Sequence, residues 1–325
     1  MLVPEFWAEA RAQERKDGSQ TTVRRFGWSM ASEAEARAMA EQRVTDALAR
    51  ISGGEDLPKR EPKVPYNGAE GVPIREEVVR RYGDHVVTRN SYGARCLNTP
   101  DVWIADVDFT ERLPFSVTAV TAVSLAVASF IGVRALGSTG LGFVAFVVGL
   151  ICGGFVGRGF GRAQRLVFGP AEVRARRRIA KFVKRRPDWR MRVHRTPNGL
   201  RLVALHSTMD PNDPECERAF RELDVDPLYA QMCLRQRCYR ARLDAKPWRI
   251  GIATHMKPRP GVWPVSPDRR ERRSEWLAKY ETTARGYAAC RFEVEIGDGL
   301  TNERALTVSR LHDELAGALT DRPIA

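Results

Sequence analysis

Two uncharged, apolar stretches interrupt a chain that is otherwise polar and basic, and they constrain its fold more than any other feature. Residues 114–133 carry no charged side chain, and neither do residues 136–157, with Arg134 between them. Each is about 20 residues, the length a helix needs to cross a hydrocarbon layer of roughly 30 Å. The pattern predicts a transmembrane helical hairpin over residues 114–157. Elsewhere the chain is unlike a polytopic transporter. It is 325 residues long, 43% hydrophobic, with a net charge of +13 and a mean hydropathy of -0.37, so most of it is expected to face water. Gly149, Gly153 and Gly157 recur four apart and strip one helix face of side chains, which lets another backbone approach. The expected neighbour is the first helix, with its small Ala122, Ala126 and Ser129, or a second copy of the chain in a homodimer.

Flanking charge sets the expected orientation. The loop 134–140 holds one arginine, whereas Arg158, Arg162, Arg165, Arg174, Arg176, Arg177 and Arg178 follow the second stretch with Glu172 as the one acid between residues 158 and 186. Excess Lys and Arg marks the cytoplasmic side. This predicts a protein of the cell (cytoplasmic) membrane with both termini cytoplasmic, and a lipid bilayer with anionic headgroups as a partner of the basic run. Charge comes too early at the N-terminus for a secretory signal. The cysteines are scattered, with no second pair at metal-finger spacing to match Cys233 and Cys238, and read as reduced thiols.

The remaining elements follow from local signals. Two strands around Asp17-Gly18 and a helix opened by Ser32-Glu33-Ala34-Glu35, with capping-box spacing, make an N-terminal ββα module over residues 1–54. Residues 55–85, rich in Pro and Gly, read as a linker. Residues 86–97 read as paired strands, and residues 102–109 as a stronger one. Beyond the hairpin, Ala175, Ile179, Phe182 and Val183 form a helical stripe. A β-hairpin turns at Pro197-Asn198-Gly199, and a helix spans residues 213–223. A helix, a strand and a helix complete a C-terminal αβα extension over residues 261–325. The core is then residues 86–113 together with 170–260.

Within that core, Asp106 and Asp108 stand two residues apart on an apolar strand. Strand side chains alternate, so both carboxylates project from one face. Such a pair commonly holds Mg²⁺ or Mn²⁺ against a phosphate-bearing substrate. Arg240, Arg242, Lys246 and Arg249 form a basic cluster that reads either as a solvated strand face or as a phosphate-binding wall. Trp248 beside them is suited to stack on a base or to pack in a core. His194, His255 and His312 have weaker claims, and His312-Asp313 reads as the exposed side of a helix.

The order of these elements resembles the core of the archaeo-eukaryotic primase superfamily. The residues that carry the resemblance are Thr88-Arg89-Asn90-Ser91-Tyr92-Gly93, Ile104-Ala105-Asp106-Val107-Asp108, Thr196-Pro197-Asn198-Gly199-Leu200-Arg201-Leu202, and Val225-Asp226-Pro227-Leu228-Tyr229 leading into Arg240-Ala241-Arg242. The resemblance implies an α+β fold, with a primase-like (RRM-like) β-sheet core interrupted by the hairpin. It implies metal binding at Asp106 and Asp108, with Asp226 as the third catalytic acid. Arg201, Arg240, Arg242 and Lys246 become the phosphate-binding set. The family's motif histidine is replaced here by Arg201, which can grip a phosphate but cannot act as a neutral imidazole. Three functions therefore stand as expectations. The first is metal-dependent nucleotidyl or phosphoryl transfer. The second is non-enzymatic binding of nucleotide, nucleic acid or protein. The third is a D-x-D glycosyltransferase, for which the βαβα alternation is lacking.

Overall fold

The computed structural model describes the chain apart from residues 17–18, 62–72, 110–114, 136, 138 and 258–262, and apart from the side chains of residues 16, 19, 115–118, 139 and 157–168. The fold is α+β, with three sheets and eight α-helices among the described residues. It divides into two compact units, Met1–Val107 with Val183–Ala325, and Asp108–Phe182.

In the first unit, β1 (Phe6–Lys16) and β2 (Ser19–Ser29) pair antiparallel from Phe6↔Ser29 to Lys16↔Ser19. Helix α1 (Glu33–Ser52) packs on them through Ala36, Ala40, Val44 and Ala47. Ser32 caps it by accepting from the Glu35 amide, as the capping-box spacing predicts. The reciprocal bond is relayed: Glu35 accepts from the Ser29 hydroxyl, and Ser29 accepts from the Ser32 amide.

The second sheet runs β3 (Glu77–Tyr82), β4 (His85–Arg89), β5 (Arg95–Thr99), β9 (Tyr239–Arg242), all antiparallel. Strand β3 forms inside the segment read as a linker. Buried Thr88 and Arg240 both donate to Glu76, and Asn98 donates to Thr88, which ties β4, β5 and β9 together through polar groups.

The third sheet has the order β10 (Arg291–Ile296), β7 (Met191–Thr196), β8 (Gly199–Ala204), β6 (Ile104–Asp108). Trp103 forms the core beneath it, edge-on to Trp189 at 5.4 Å and stacked on Phe220 at 5.5 Å. Phe220 comes from α5 (Pro214–Leu223), capped by Asp213; α6 (Pro227–Gln236), α7 (Arg270–Ala284) and α8 (Glu303–Ala316) complete the unit. The single RRM-like sheet is corrected here. The Asp106 strand pairs with β8, while the strands flanking Tyr92 and the strand bearing Arg240 and Arg242 pair among themselves in another sheet. Strand β6 is an edge of its own sheet and β5 has both edges occupied, by β4 and β9, so no ladder joins them.

The second unit contains α2 (Phe115–Ala135), α3 (Thr139–Phe168) and most of α4 (Ala171–Arg185). Helices α2 and α3 form an antiparallel hairpin. A Cβ on Gly149 would lie 2.7 Å from the Ala126 Cα, and one on Gly153 would lie 2.5 Å from that of Ala122, so these glycines let the two backbones touch. The glycine face meets the chain's own α2, the first of its two expected neighbours, at Gly149 and Gly153; the surroundings of Gly157 lie outside the described residues. Outward positions such as Val120, Ile131, Phe143 and Phe155 are apolar and exposed.

The expected transmembrane hairpin is corrected. Among the described residues no helix is long and apolar enough to cross a membrane. The cell-membrane localisation and the cytoplasmic placement of both termini fall with it. The anionic-headgroup partner rested on the same span. The stripe read on α4 is observed, with Ala175, Ile179 and Phe182 buried.

Candidate functional site

Asp106 and Asp108 share one face of β6, as strand alternation requires: Ala105 and Val107 are buried, Asp106 is partly exposed and Asp108 is exposed. Arg201, on the neighbouring strand β8, meets it in a fork. Its Nε donates to Oδ1 at 2.7 Å and its Nη2 to Oδ2 at 2.9 Å. Burial alone would raise the Asp106 carboxyl, but the Arg201 charge and hydrogen bonds outweigh it and hold the group below its ordinary value. Burial likewise opposes the Arg201 charge, and Asp106 more than restores it. Bidentate pairs of this kind are among the stronger charge-assisted contacts.

The pair opens a longer network. Antiparallel register sets His194 of β7 opposite Arg201. Helix α8 lays its buried stripe, Ala305, Val308, Ser309, His312, Asp313 and Ala316, over the same region. Arg201 Nη1 donates to the Arg242 carbonyl at 2.8 Å and reaches His312 Nε2 at 3.3 Å. His312 Nδ1 donates to Asp313 Oδ1 at 2.9 Å, and His194 Nε2 donates to the same oxygen at 2.6 Å. Arg192 pairs with Asp313 Oδ2 at 3.0 Å. Burial lowers the pKa of His312 to about 4, so this ring is neutral at pH 7, with its proton on Nδ1. Burial pushes the Asp313 carboxyl up, but the hydrogen bonds from His194 and His312 prevail and hold it well below the usual range.

His194, His312 and Asp313 each offer a ligand atom, all within 4.8 Å of one another, a spacing that could hold a metal ion. The electrostatics work against one. Asp106 and Asp313 are already paired with Arg201 and Arg192, and a dication would enter beside two guanidinium groups. The donor set also faces inward, in hydrogen bonds to itself. Asp106 presents the same difficulty to Mg²⁺ or Mn²⁺: both of its oxygens are engaged, and a cation would have to compete with a buried guanidinium for them.

The other expected site residues are distributed differently. Asp226 caps α6 by accepting from the Leu228 amide at 2.9 Å. The residue of that helix that reaches β6 is Tyr229, which donates to the Ile104 carbonyl at 2.7 Å. Arg240 is buried against Glu76, and Arg242 donates to the Asp244 carbonyl. Lys246 lies beside an aromatic ring. Its Nζ stands 5.5 Å from the ring centroid of Trp248, which is 54% exposed and edge-on to Tyr92 at 5.4 Å.

Trp248 and Tyr92 share with Trp276, Met256 and Thr254 a cavity of about 180 Å³. Its walls come from three distant segments. Tyr92 lies in the tight β4–β5 turn, where Asn90 Oδ1 accepts from the Tyr92 and Ala94 amides and Gly93 takes φ +95°. Trp248 lies in a short 3₁₀ turn, Pro247–Arg249. Trp276, on α7, is stacked on Tyr280 at 5.2 Å and donates to the Thr254 carbonyl at 3.0 Å.

No family model, curated protein or solved structure matches this chain. The residues themselves must therefore carry the functional reading. Those not singled out from sequence as a site are Asp313, Glu76 and Trp276. His312, expected to be exposed, is fully buried. A signal existed for two of them. His312 and Asp313 continue the three- and four-residue stripe of Ala305, Val308 and Ser309, which marks them as core positions of α8. Nothing local marked Glu76 or Trp276.

Proposed function

We propose that this protein binds a nucleotide or single-stranded nucleic acid, gripping one base at Trp248. The observation that carries the reading is the exposed Trp248 ring, braced edge-on by Tyr92 and flanked by the Lys246 ammonium at the mouth of an aromatic cavity. A flat, electron-rich ring beside a cation suits a ligand that combines a π-face with a phosphate. The cavity, about 180 Å³, is smaller than the roughly 300–1,000 Å³ of pockets that enclose a whole small molecule. It suits one ring system, with the remainder of the ligand in solvent. A net charge of +13 favours a polyanionic partner at long range. The ligand class agrees with the one implied by the resemblance to primases. Metal-dependent transfer at Asp106 and Asp108 has less support, because Asp106 is already neutralised by Arg201.

The test is fluorescence anisotropy with labelled oligothymidylate, with ATP as competitor. Binding is expected to weaken with salt, and Trp248→Ala to weaken it about tenfold, since a stacked base contributes about 1–3 kcal/mol. Lys246→Ala should lower the salt slope by somewhat under one. Full affinity in Trp248→Ala, or no binding of either ligand, refutes the reading.

A further inference from the structure

A second cavity in the same unit, of about 350 Å³, has a different character. It lies at the C-terminal ends of α7 and α8, against β4, β5 and the chain's last residues. Its charged lining is Arg89, Arg95, Arg285 and Arg322 against Asp244 and Glu281. Four positive charges less two negative leave +2.

The acids are already matched. Asp244 takes a fork from Arg95, at 2.7 Å from Nη2 and 3.0 Å from Nε, and Glu281 takes Arg89 at 2.6 Å. Arg89 also approaches Glu77, which has its own cation in Arg273. The surplus therefore resides on Arg285 and Arg322, which bond only neutral groups among the described residues. Arg322 donates to the Arg285 carbonyl at 3.0 Å and to the Thr320 hydroxyl at 3.1 Å. It fits there because Gly317 has no side chain: a Cβ at that position would lie 2.8 Å from Arg322 Nη2. Two hydrogen bonds thus place the Arg322 guanidinium on the cavity wall, and the exposed Arg285 lines the same cavity.

We propose that this cavity binds a dianionic phosphoryl group. The surplus of two charges matches such a ligand. A guanidinium fork matches phosphate oxygens bidentately, and a phosphate can accept from two such groups at once. The site goes beyond the base-binding pocket and does not rest on it, since the linings of the two cavities share no residue.

Calorimetric titration of the full chain with inorganic phosphate and with phenyl phosphate, at pH 7.5 and fixed ionic strength, tests the inference. Saturable binding of one or both is expected. Arg285→Ala should weaken it at least tenfold, and Arg285→Glu, which brings the lining to zero net charge, should abolish it. Arg285 is exposed and engages its neighbours through its backbone, so both variants should melt at the wild-type temperature without ligand. Tighter binding of phenyl phosphate assigns the phosphoryl group to an organic ester; tighter binding of inorganic phosphate assigns it to the free ion. Absence of binding, or unchanged affinity in both variants, overturns the inference.

Discussion

Replacing Asp106 by Asn removes the charge that holds Arg201 in the protein interior. The Arg201 side chain is 2% exposed, whereas that of Asp106 is 35% exposed. Truncating one partner of a fully buried pair costs about 3–5 kcal/mol, mostly because the other charge is left uncompensated. Two features place this variant at the low end. Asp106 is partly solvated already, and Arg201 keeps two acceptors, the Arg242 carbonyl and His312 Nε2. The expected loss is therefore about 3 kcal/mol. At about 2–4 °C per kcal/mol for a domain of this size, the melting temperature should fall by roughly 6–12 °C. The assay is thermal unfolding of the full chain by circular dichroism at pH 7. The double variant Asp106→Leu, Arg201→Met, which removes both charges, should recover most of the loss. A chelator should leave the wild-type melting temperature unchanged. If Asp106→Asn loses less than about 1 kcal/mol, if the double variant is no better than the single one, or if chelation lowers the melting temperature, the pairing argument is refuted.

Two further predictions concern His312 and Gly93. His312 faces Arg201 from β8, His194 from β7, Asp313 from its own helix and Cys290 from the segment before β10. Its folded pKa, about 4, lies below the unfolded value of about 6.5, so the unfolded state takes up the proton first. Stability is fully present above about pH 6.5 and declines as the pH falls towards 4, by about 2 kcal/mol at pH 5. Urea unfolding at pH 7 and pH 5 should show this loss reduced by about that amount in His312→Asn; an unchanged slope counts against a neutral, buried His312. Gly93→Ala puts a methyl group 2.5 Å from the Trp276 ring at a backbone φ of +95°. It should destabilise by about 2–3 kcal/mol and displace a wall of the aromatic cavity, with weaker oligonucleotide binding. Retained stability and affinity would show that the turn tolerates a side chain.

Local chemistry made much of the fold legible. The Ser32 cap, the Asp213-Pro214 start of α5, the Pro197-Asn198-Gly199 turn and the alternation around Asp106 and Asp108 are all short-range signals, and the elements they announce are present. The functional residues were harder to read. Asp106 and Arg201 were both recognised, but as a metal ligand and a phosphate grip rather than as partners of each other. The two are 95 positions apart, and no sequence period encodes which side chain a carboxylate will face. The hairpin shows the converse limit: absence of charge over about 20 residues is compatible with a membrane span, and it equally suits two helices whose glycines let their backbones pack on each other.

The sequence by itself determined the periodic elements, the caps and turns that bound them, and the excess of cationic side chains, because each depends on residues within one or two turns of chain. Only the tertiary structure decided that Asp106 is neutralised, that His312 is buried, and that Tyr92, Trp248 and Trp276 share a cavity. Those outcomes depend on which strands pair and which helix covers them. That choice is set by the burial of the whole core, and no stretch short enough to be read locally contains it.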